Sequence, residues 1–198
     1  MHTDPNVNEA CPPDHENTAV KHTGRLVCVG TGMQLGGQIS VLSQSYIEIA
    51  DVVYSLVTDG FSQRWLASLN DKVQSLQPFY ALEGELKNRR ETYRQMVDEI
   101  LTQVRLGKLV VCAFYGHPGV FAWSPHKVIE QAREEGYAAH MEAGVSAEDC
   151  LYADLGIDPG RVGSQNFEAS QLMFYQRNID PSAYLILWQV AIAGDKSI

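Results

Sequence analysis

A chain of 198 residues suffices for one domain or two small ones, and at that size it buries roughly 70% of its unfolded surface without needing a metal or a disulfide. Lys plus Arg number 15 against 24 Asp plus Glu, a formal charge of −9, which excludes general nucleic-acid binding because phosphate affinity requires a basic footprint. No stretch approaches the roughly 18 consecutive apolar residues of a membrane span, and the first residues lack the apolar core of a secretory signal.

Residues 1–23 are dominated by Pro, Asn, Asp and His with no apolar period, and are expected to form a disordered, solvated tail. Of the four cysteines, Cys11, Cys28, Cys112 and Cys150, none forms a CxxC pair. Cys28 and Cys112 lie inside the apolar runs LVCVG and LVVCAF, as reduced core thiols of a cytoplasmic protein would, so neither a disulfide framework nor a metal site is expected.

From Arg25 onward, strands and helices alternate. LVCVG (26–30) predicts a strand, followed by the glycine-rich turn 30–37, helical spacing over 39–50, a strand at 51–56, a short helix at 62–69 and a third strand at 73–76. Residues 77–88 are irregular. A helix follows with Asn88 as cap, Glu91 as capping-box partner, the apolar stripe Tyr93, Met96/Val97, Ile100/Leu101 and Val104, and Gly107 as terminator. LVVCAF (109–114) predicts a buried strand and 115–119 a loop. Ser124 is the expected cap, with Pro125 at the first position, of a helix running to about Glu135. A strand at 138–142 leads to a turn in which Ser146 caps a helix with Asp149 as its capping-box partner. A turn at 158–160, a strand at 162–167, a helix at 169–177 and a long buried strand at 184–192 complete the pattern. Alternating strands and helices argue for an α/β protein with a mostly parallel sheet. The division expected is an N-terminal α/β domain at 24–142 and a partial C-terminal one at 143–198. The sequence stops six residues after the last apolar strand, so that second domain is expected to be truncated.

The turn after the first strand does not carry a dinucleotide fingerprint, since Leu35 stands where GxGxxG needs its third glycine. Gly30 and Gly32 fit a plain βα turn as well as a ligand loop. The loop Tyr115-Gly116-His117-Pro118-Gly119 follows a buried strand and so lies at the carboxyl end of the sheet, where open α/β folds bind ligands. Arg89 and Tyr93, four apart, share one helix face, and Tyr80 lies upstream in the irregular segment. An arginine beside two phenols can stabilise a developing anion and depress a phenol's pKa. The same residues also fit a helix core with a solvated first-turn arginine.

Gly30-Thr31-Gly32, Tyr115 to Phe121 (YGHPGVF), Gly144 to Cys150 (GVSAEDC) and Trp188-Gln189-Val190 occur in this order, and together they resemble the tetrapyrrole-methylase fold, the class III methyltransferases built from two α/β domains. Asn88 to Tyr93, followed by Gln95-Met96, is similar to the borosin peptide backbone α-N-methyltransferases, and within them to the split, bacterial type. The likeness runs from about Gly24 to Ala193. It implies S-adenosyl-L-methionine in an interdomain cleft lined by Tyr115, His117, Val120, Phe121 and Gln189, with Ser146 and Ala147 added at the domain junction. It implies catalytic roles for Arg89, Tyr93 and Tyr80, and contact of Tyr115 with both cofactor and substrate. It also implies a homodimer, a separate precursor peptide as substrate, iterative methylation, and a further stretch after the last strand that completes the second domain in relatives. An amide nitrogen is a poor nucleophile because its lone pair is delocalised. Tyr93 is therefore expected as the base, with its ordinary pKa of about 10 lowered by Arg89, and Tyr80 or Tyr115 as donor to the carbonyl oxygen. Two other readings stay open: a small-molecule methyltransferase of the same fold, and a shortened, non-catalytic peptide-binding module.

Overall fold

Leu26 to Val29, Val52 to Tyr54 and Val110 to Ala113 are buried whichever way they point, and parallel strands with helices on both faces account for that. A computed structural model describes residues 23–57, 59–80 and 89–193. The elements are β1 (Arg25–Gly30), α1 (Val41–Ile49), β2 (Val52–Leu56), α2 (Gly60–Leu69), β3 (Val73–Ser75), a 3-10 turn at Gln77–Phe79, α3 (Arg89–Arg105), β4 (Leu109–Phe114), α4 (Ser124–Glu134), β5 (Ala138–Met141), α5 (Ala147–Leu155), α6 (Pro159–Val162), β6 (Ser164–Glu168), α7 (Ala169–Phe174), β7 (Tyr184–Trp188) and a 3-10 turn at Val190–Ile192.

Five strands form one parallel sheet in the order β3-β2-β4-β1-β5. Alternate residues of each strand serve two cores. Leu26, Cys28, Tyr54, Cys112 and Phe114 face α3 and α4, meeting Met96, Ile100, Leu101 and Val128. Val27, Val29, Val53, Val111 and Ala113 face α1 and α2, meeting Ile47 and Leu66. Cys28 and Cys112 are in register on neighbouring strands, both buried and both free thiols, as expected of core residues. The neighbours β1 and β4 send their following helices to opposite faces of the sheet, so a crevice opens beyond their carboxyl ends.

The remaining strands, β6 and β7, pair parallel in a separate two-stranded sheet, from Ser164↔Tyr184 to Glu168↔Trp188. Several expectations are corrected here. The last strand ends at Trp188, because Gln189 adopts a left-handed backbone (φ 56°) and a 3-10 turn follows. It is also not buried: Leu185 and Leu187 are 41% and 40% exposed, and only Ile186 is covered, since two strands alone have no second layer over that face. The helix α7 ends at Phe174, with Tyr175 extended, rather than at Arg177. The cap position of α4 is Trp123, without a side-chain cap bond, and Ser124 is buried in the first turn with Pro125 behind it, where no intrahelical donor is needed. Ser146 and Asp149 do form the expected capping box on α5, and Gly107 (φ 83°) ends α3. The expected tail, apart from Thr23, and the Asn88 cap lie outside the described residues. Among the described residues no helix is long and apolar enough to cross a membrane.

Candidate active site

Three loops meet at the crevice, and glycines let them. The carbonyl of Phe114 accepts from Thr31 N (2.8 Å) and from Thr31 Oγ1 (3.2 Å). Gly32 and Gly116 pair as an antiparallel bridge, with Gly116 N donating to Gly32 O at 3.0 Å. A Cβ on Gly30 would lie 2.2 Å from the Gly116 carbonyl oxygen, and one on Gly144 would lie 3.2 Å from both that oxygen and Gly30 Cα. The ends of β1, β4 and β5 are thus in backbone contact, and no other residue type fits at Gly30 without moving main chain.

The loop after β4 is fixed through both backbone polar groups of one residue, Gly119. Gly119 N–H donates to His117 Nδ1 at 2.9 Å, and Gly119 O lies 2.9 Å from His126 Nε2. The first bond assigns neutral His117 its hydrogen at Nε2. The loop ends at Phe121 with φ 50°. Phe121 and Gln189 are the two non-glycine residues with positive φ among those described, and both line one cavity. Backbone strain of this kind persists where surrounding structure over-determines it, most often at binding sites.

That cavity has a volume of about 580 Å³. The structure gathers in its wall all seven residues expected of a cofactor cleft: Tyr115, His117, Val120, Phe121, Ser146, Ala147 and Gln189. Tyr80 lines it as well. Arg89 and Tyr93 sit behind Tyr80: the Tyr80 and Tyr93 rings meet edge-on at 6.3 Å, Tyr93 stacks on Trp123 at 6.0 Å, and the Arg89 charge acts on the Tyr80 phenol. Burial foremost, then Tyr93 as electrostatic neighbour and hydrogen-bond partner, push the Tyr80 phenol well above its ordinary 10.0, against the opposing pull of Arg89. Tyr80 therefore holds its proton at neutral pH and serves as a donor.

Met33, Leu56, Val57, Gln77 and Trp188 also line the wall and were not foreseen as site residues. Position at the carboxyl end of β2 marks Leu56 and Val57, and Trp188 belongs to the same Trp-Gln-Val motif as Gln189. The Phe121 and Trp188 rings lie 5.8 Å apart. None of the described lining residues is a carboxylate, lysine or arginine. The Ser146 hydroxyl is already engaged, donating to Asp149 Oδ2 at 2.7 Å. That bond, with the Ser146 N–H on the same carboxylate, holds Asp149 below the usual carboxylate range. A cavity of this size, aromatic and uncharged, suits a nucleoside-sized ligand with a flat heterocycle and a soft cation, held by stacking and by loop backbone groups. Among the described residues, no group of three or more His, Cys, Asp or Glu could hold a metal ion.

The site thus lies at the switch point of an open parallel α/β sheet, with a small second sheet beyond it. The chain belongs to the tetrapyrrole (corrin/porphyrin) methylase family, which it matches over residues 25–196. Members of this family are S-adenosylmethionine-dependent methyltransferases. The chain is 45% identical over 177 residues to the methyltransferase/ribosomally synthesized type I borosin cyclic peptide precursor of Coprinopsis marcescibilis, covering 89% of this chain and 44% of that protein. It is 43% identical over 171 residues to the corresponding type III borosin precursor of Anomoporia bombycina, covering 86% of this chain and 20% of that protein. It thus spans less than half the length of these curated fungal relatives. The same fold is present in uroporphyrin-III-C-methyltransferase from Thermus thermophilus, with TM-score 0.59 at 16% identity over 83% of this chain and 68% of that one. It is present in cobalt precorrin-4 methyltransferase, with TM-score 0.55 at 21% identity over 75% and 58%.

Proposed function

We propose that this chain is the catalytic part of an S-adenosyl-L-methionine-dependent methyltransferase that iteratively α-N-methylates backbone amides of a ribosomal precursor peptide supplied as a separate chain. It acts in the cytoplasm as a homodimer, with an N-terminal domain at 24–142 and a second at 143–198. The observation that carries the reading is the Tyr80–Tyr93 pair beside Arg89, at the edge of an uncharged aromatic cavity.

Tyr115, His117, Val120, Phe121, Ser146, Ala147 and Gln189 hold the cofactor. Bound there, it supplies a methyl group on a sulfonium. The protein's task is to orient the acceptor amide and to manage its proton and its oxygen. Tyr93, acting in its phenolate form, takes the N–H proton and gives it up to solvent before the next cycle. Tyr80, kept protonated by burial, donates to the carbonyl oxygen as the amide acquires imidate character, and Tyr115 contacts both cofactor and peptide. Arg89 balances the negative charge that passes through the phenol pair. The high identity to relatives whose names join a methyltransferase to a peptide precursor favours a peptide acceptor.

The test is mass spectrometry of a synthetic peptide, carrying the precursor segment of the Coprinopsis marcescibilis relative, after incubation with the chain and S-adenosylmethionine. Successive gains of one methyl group on backbone nitrogens are expected. Binding of S-adenosylhomocysteine with no peptide gain in trans, but gain when the same segment is fused to the chain, overturns the separate-substrate reading. Gain in neither arrangement overturns the peptide reading and leaves the small-molecule alternative.

A further inference from the structure

Beyond the cofactor cavity, the loop after β1 and the first turns of α2 enclose a second cleft of about 390 Å³. The two spaces share Met33 and Tyr115, so the cleft continues the cavity past the Tyr115 ring. Its far wall carries two large apolar side chains that no core claims: Phe61 is 71% exposed and Leu35 56%. The Arg64 guanidinium stands 5.8 Å from the centre of the Phe61 ring. Trp65 forms the base, with the loop backbone laid on its indole at Gly36, where φ is +65° and a Cβ would come within 3.3 Å of Nε1. Glycine at 36 is thus what seats the loop on the ring. One carboxylate borders the cleft: Asp59 caps α2, accepting from Phe61 N and Ser62 N at 2.9 Å each and from Ser62 Oγ at 2.7 Å. Those bonds keep it below the usual carboxylate range, hence ionised at neutral pH.

We infer that this second cleft is an acceptor subsite, in which Phe61, Trp65 and Leu35 receive the apolar side chain of a peptide residue flanking the methylated amide. The inference rests on the peptide reading above. A peptide crossing the shared Tyr115–Met33 wall presents an amide to the cavity and a neighbouring side chain to the cleft, because the two openings adjoin. Apolar contact there is not specific for one shape, and the Asp59 charge selects against acidic neighbours.

The test uses an acetylated, amidated heptapeptide of leucine and glycine carrying one photoreactive benzoylphenylalanine, bound to the full chain saturated with S-adenosylhomocysteine. Crosslinks are expected on the segments 33–36 and 61–65, and replacing the flanking leucine with aspartate is expected to weaken binding about tenfold or more. Phe61→Ser, at an exposed position that does not threaten folding, is expected to weaken peptide binding to a similar degree while the affinity for S-adenosylhomocysteine stays put. Trp65→Phe serves as the second variant and is expected to weaken it less. Crosslinks confined to other surfaces, or unchanged peptide affinity in Phe61→Ser, overturn the subsite and leave peptide methylation standing. Absence of both peptide binding and methyl transfer overturns the subsite together with the peptide reading.

Discussion

The ring of Tyr80 stands perpendicular to the ring of Tyr93, with centroids 6.3 Å apart and an interplanar angle of 90°. The two phenols differ in surroundings. Tyr80 faces the cavity and is held protonated by burial, whereas Tyr93 lies on α3 between Tyr80 and the Trp123 ring. Tyr93→Phe removes the proposed base without touching the cavity wall. Turnover is expected to fall about 10² to 10⁴-fold with S-adenosylhomocysteine affinity unchanged. Tyr80→Phe is expected to lower turnover about 10²-fold, as loss of one oxyanion donor does. Single-turnover rates beside calorimetric titrations separate the two effects, and retained turnover in Tyr93→Phe removes Tyr93 from the chemistry.

Stability at high pH should report a second buried phenol. Tyr54, on β2, donates to Glu99 on α3 at 2.5 Å, and burial first, then Glu99, raises its pKa well above the ordinary 10.0. Tyr80 is raised as well. A raised folded-state pKa means that the native form binds more protons than the unfolded form above pH 10, so the contribution is intact below that pH and is lost as pH climbs further. The melting temperature is expected to be flat from neutral pH to about pH 9 and then to fall steeply. Tyr54→Phe should flatten the alkaline fall and, by removing a bond to a charged acceptor, destabilise the neutral protein by roughly 1.5–3 kcal/mol. Thermal denaturation across pH 7–11 checks both.

The first sheet was legible because its three inner strands, β2, β4 and β1, are apolar runs bounded by turn residues, and the helices that cover them carry apolar stripes and end signals, as with Gly107 after α3. Both strands of the second sheet were legible too, but the end of the last one was not. YLILWQVAI is apolar on both sides of Gln189, but its end is set by the left-handed backbone at that residue, a tertiary demand that apolar periodicity does not encode. The cap of α4 misled because Ser124 is buried in the helix rather than turned to its end. At the cavity, Tyr115, His117, Val120 and Phe121 stand in a loop marked by its motif, while Met33 and Gln77 reach the cavity only through chain folding.

The glycine junction beneath the cavity should be intolerant of any side chain. Gly30→Ala puts a methyl 2.2 Å from the Gly116 carbonyl oxygen, so the Gly32–Gly116 bridge must open. Gly144→Ala meets the same oxygen and Gly30 Cα at 3.2 Å, a milder clash. Both variants are expected to lose cofactor affinity, Gly30→Ala beyond detection and Gly144→Ala by about tenfold, with overpacking losses of roughly 1–3 kcal/mol in stability. Titration with S-adenosylhomocysteine beside thermal melts decides the matter. Gly30→Ala binding as tightly as the parent would show that the three loops need not touch.

His117 acts on the cavity in two ways that substitutions can part. Its Nδ1 accepts from Gly119 N–H at 2.9 Å and so anchors the loop bearing Val120 and Phe121, while Nε2–H stays available to the cavity. His117→Ala leaves the Gly119 N–H without its acceptor and removes the second donor as well, and S-adenosylhomocysteine affinity is expected to fall about tenfold. His117→Asn offers a carboxamide oxygen at the reach of Nδ1 but nothing at the reach of Nε2. If loop anchoring is what matters, His117→Asn recovers most of the lost affinity, and amide exchange at Gly119 slows to the parental rate. If the affinity of His117→Asn stays as low as that of His117→Ala while Gly119 is protected again, the Nε2 donor itself contacts the ligand. Equal affinity in all three proteins would remove His117 from the site altogether.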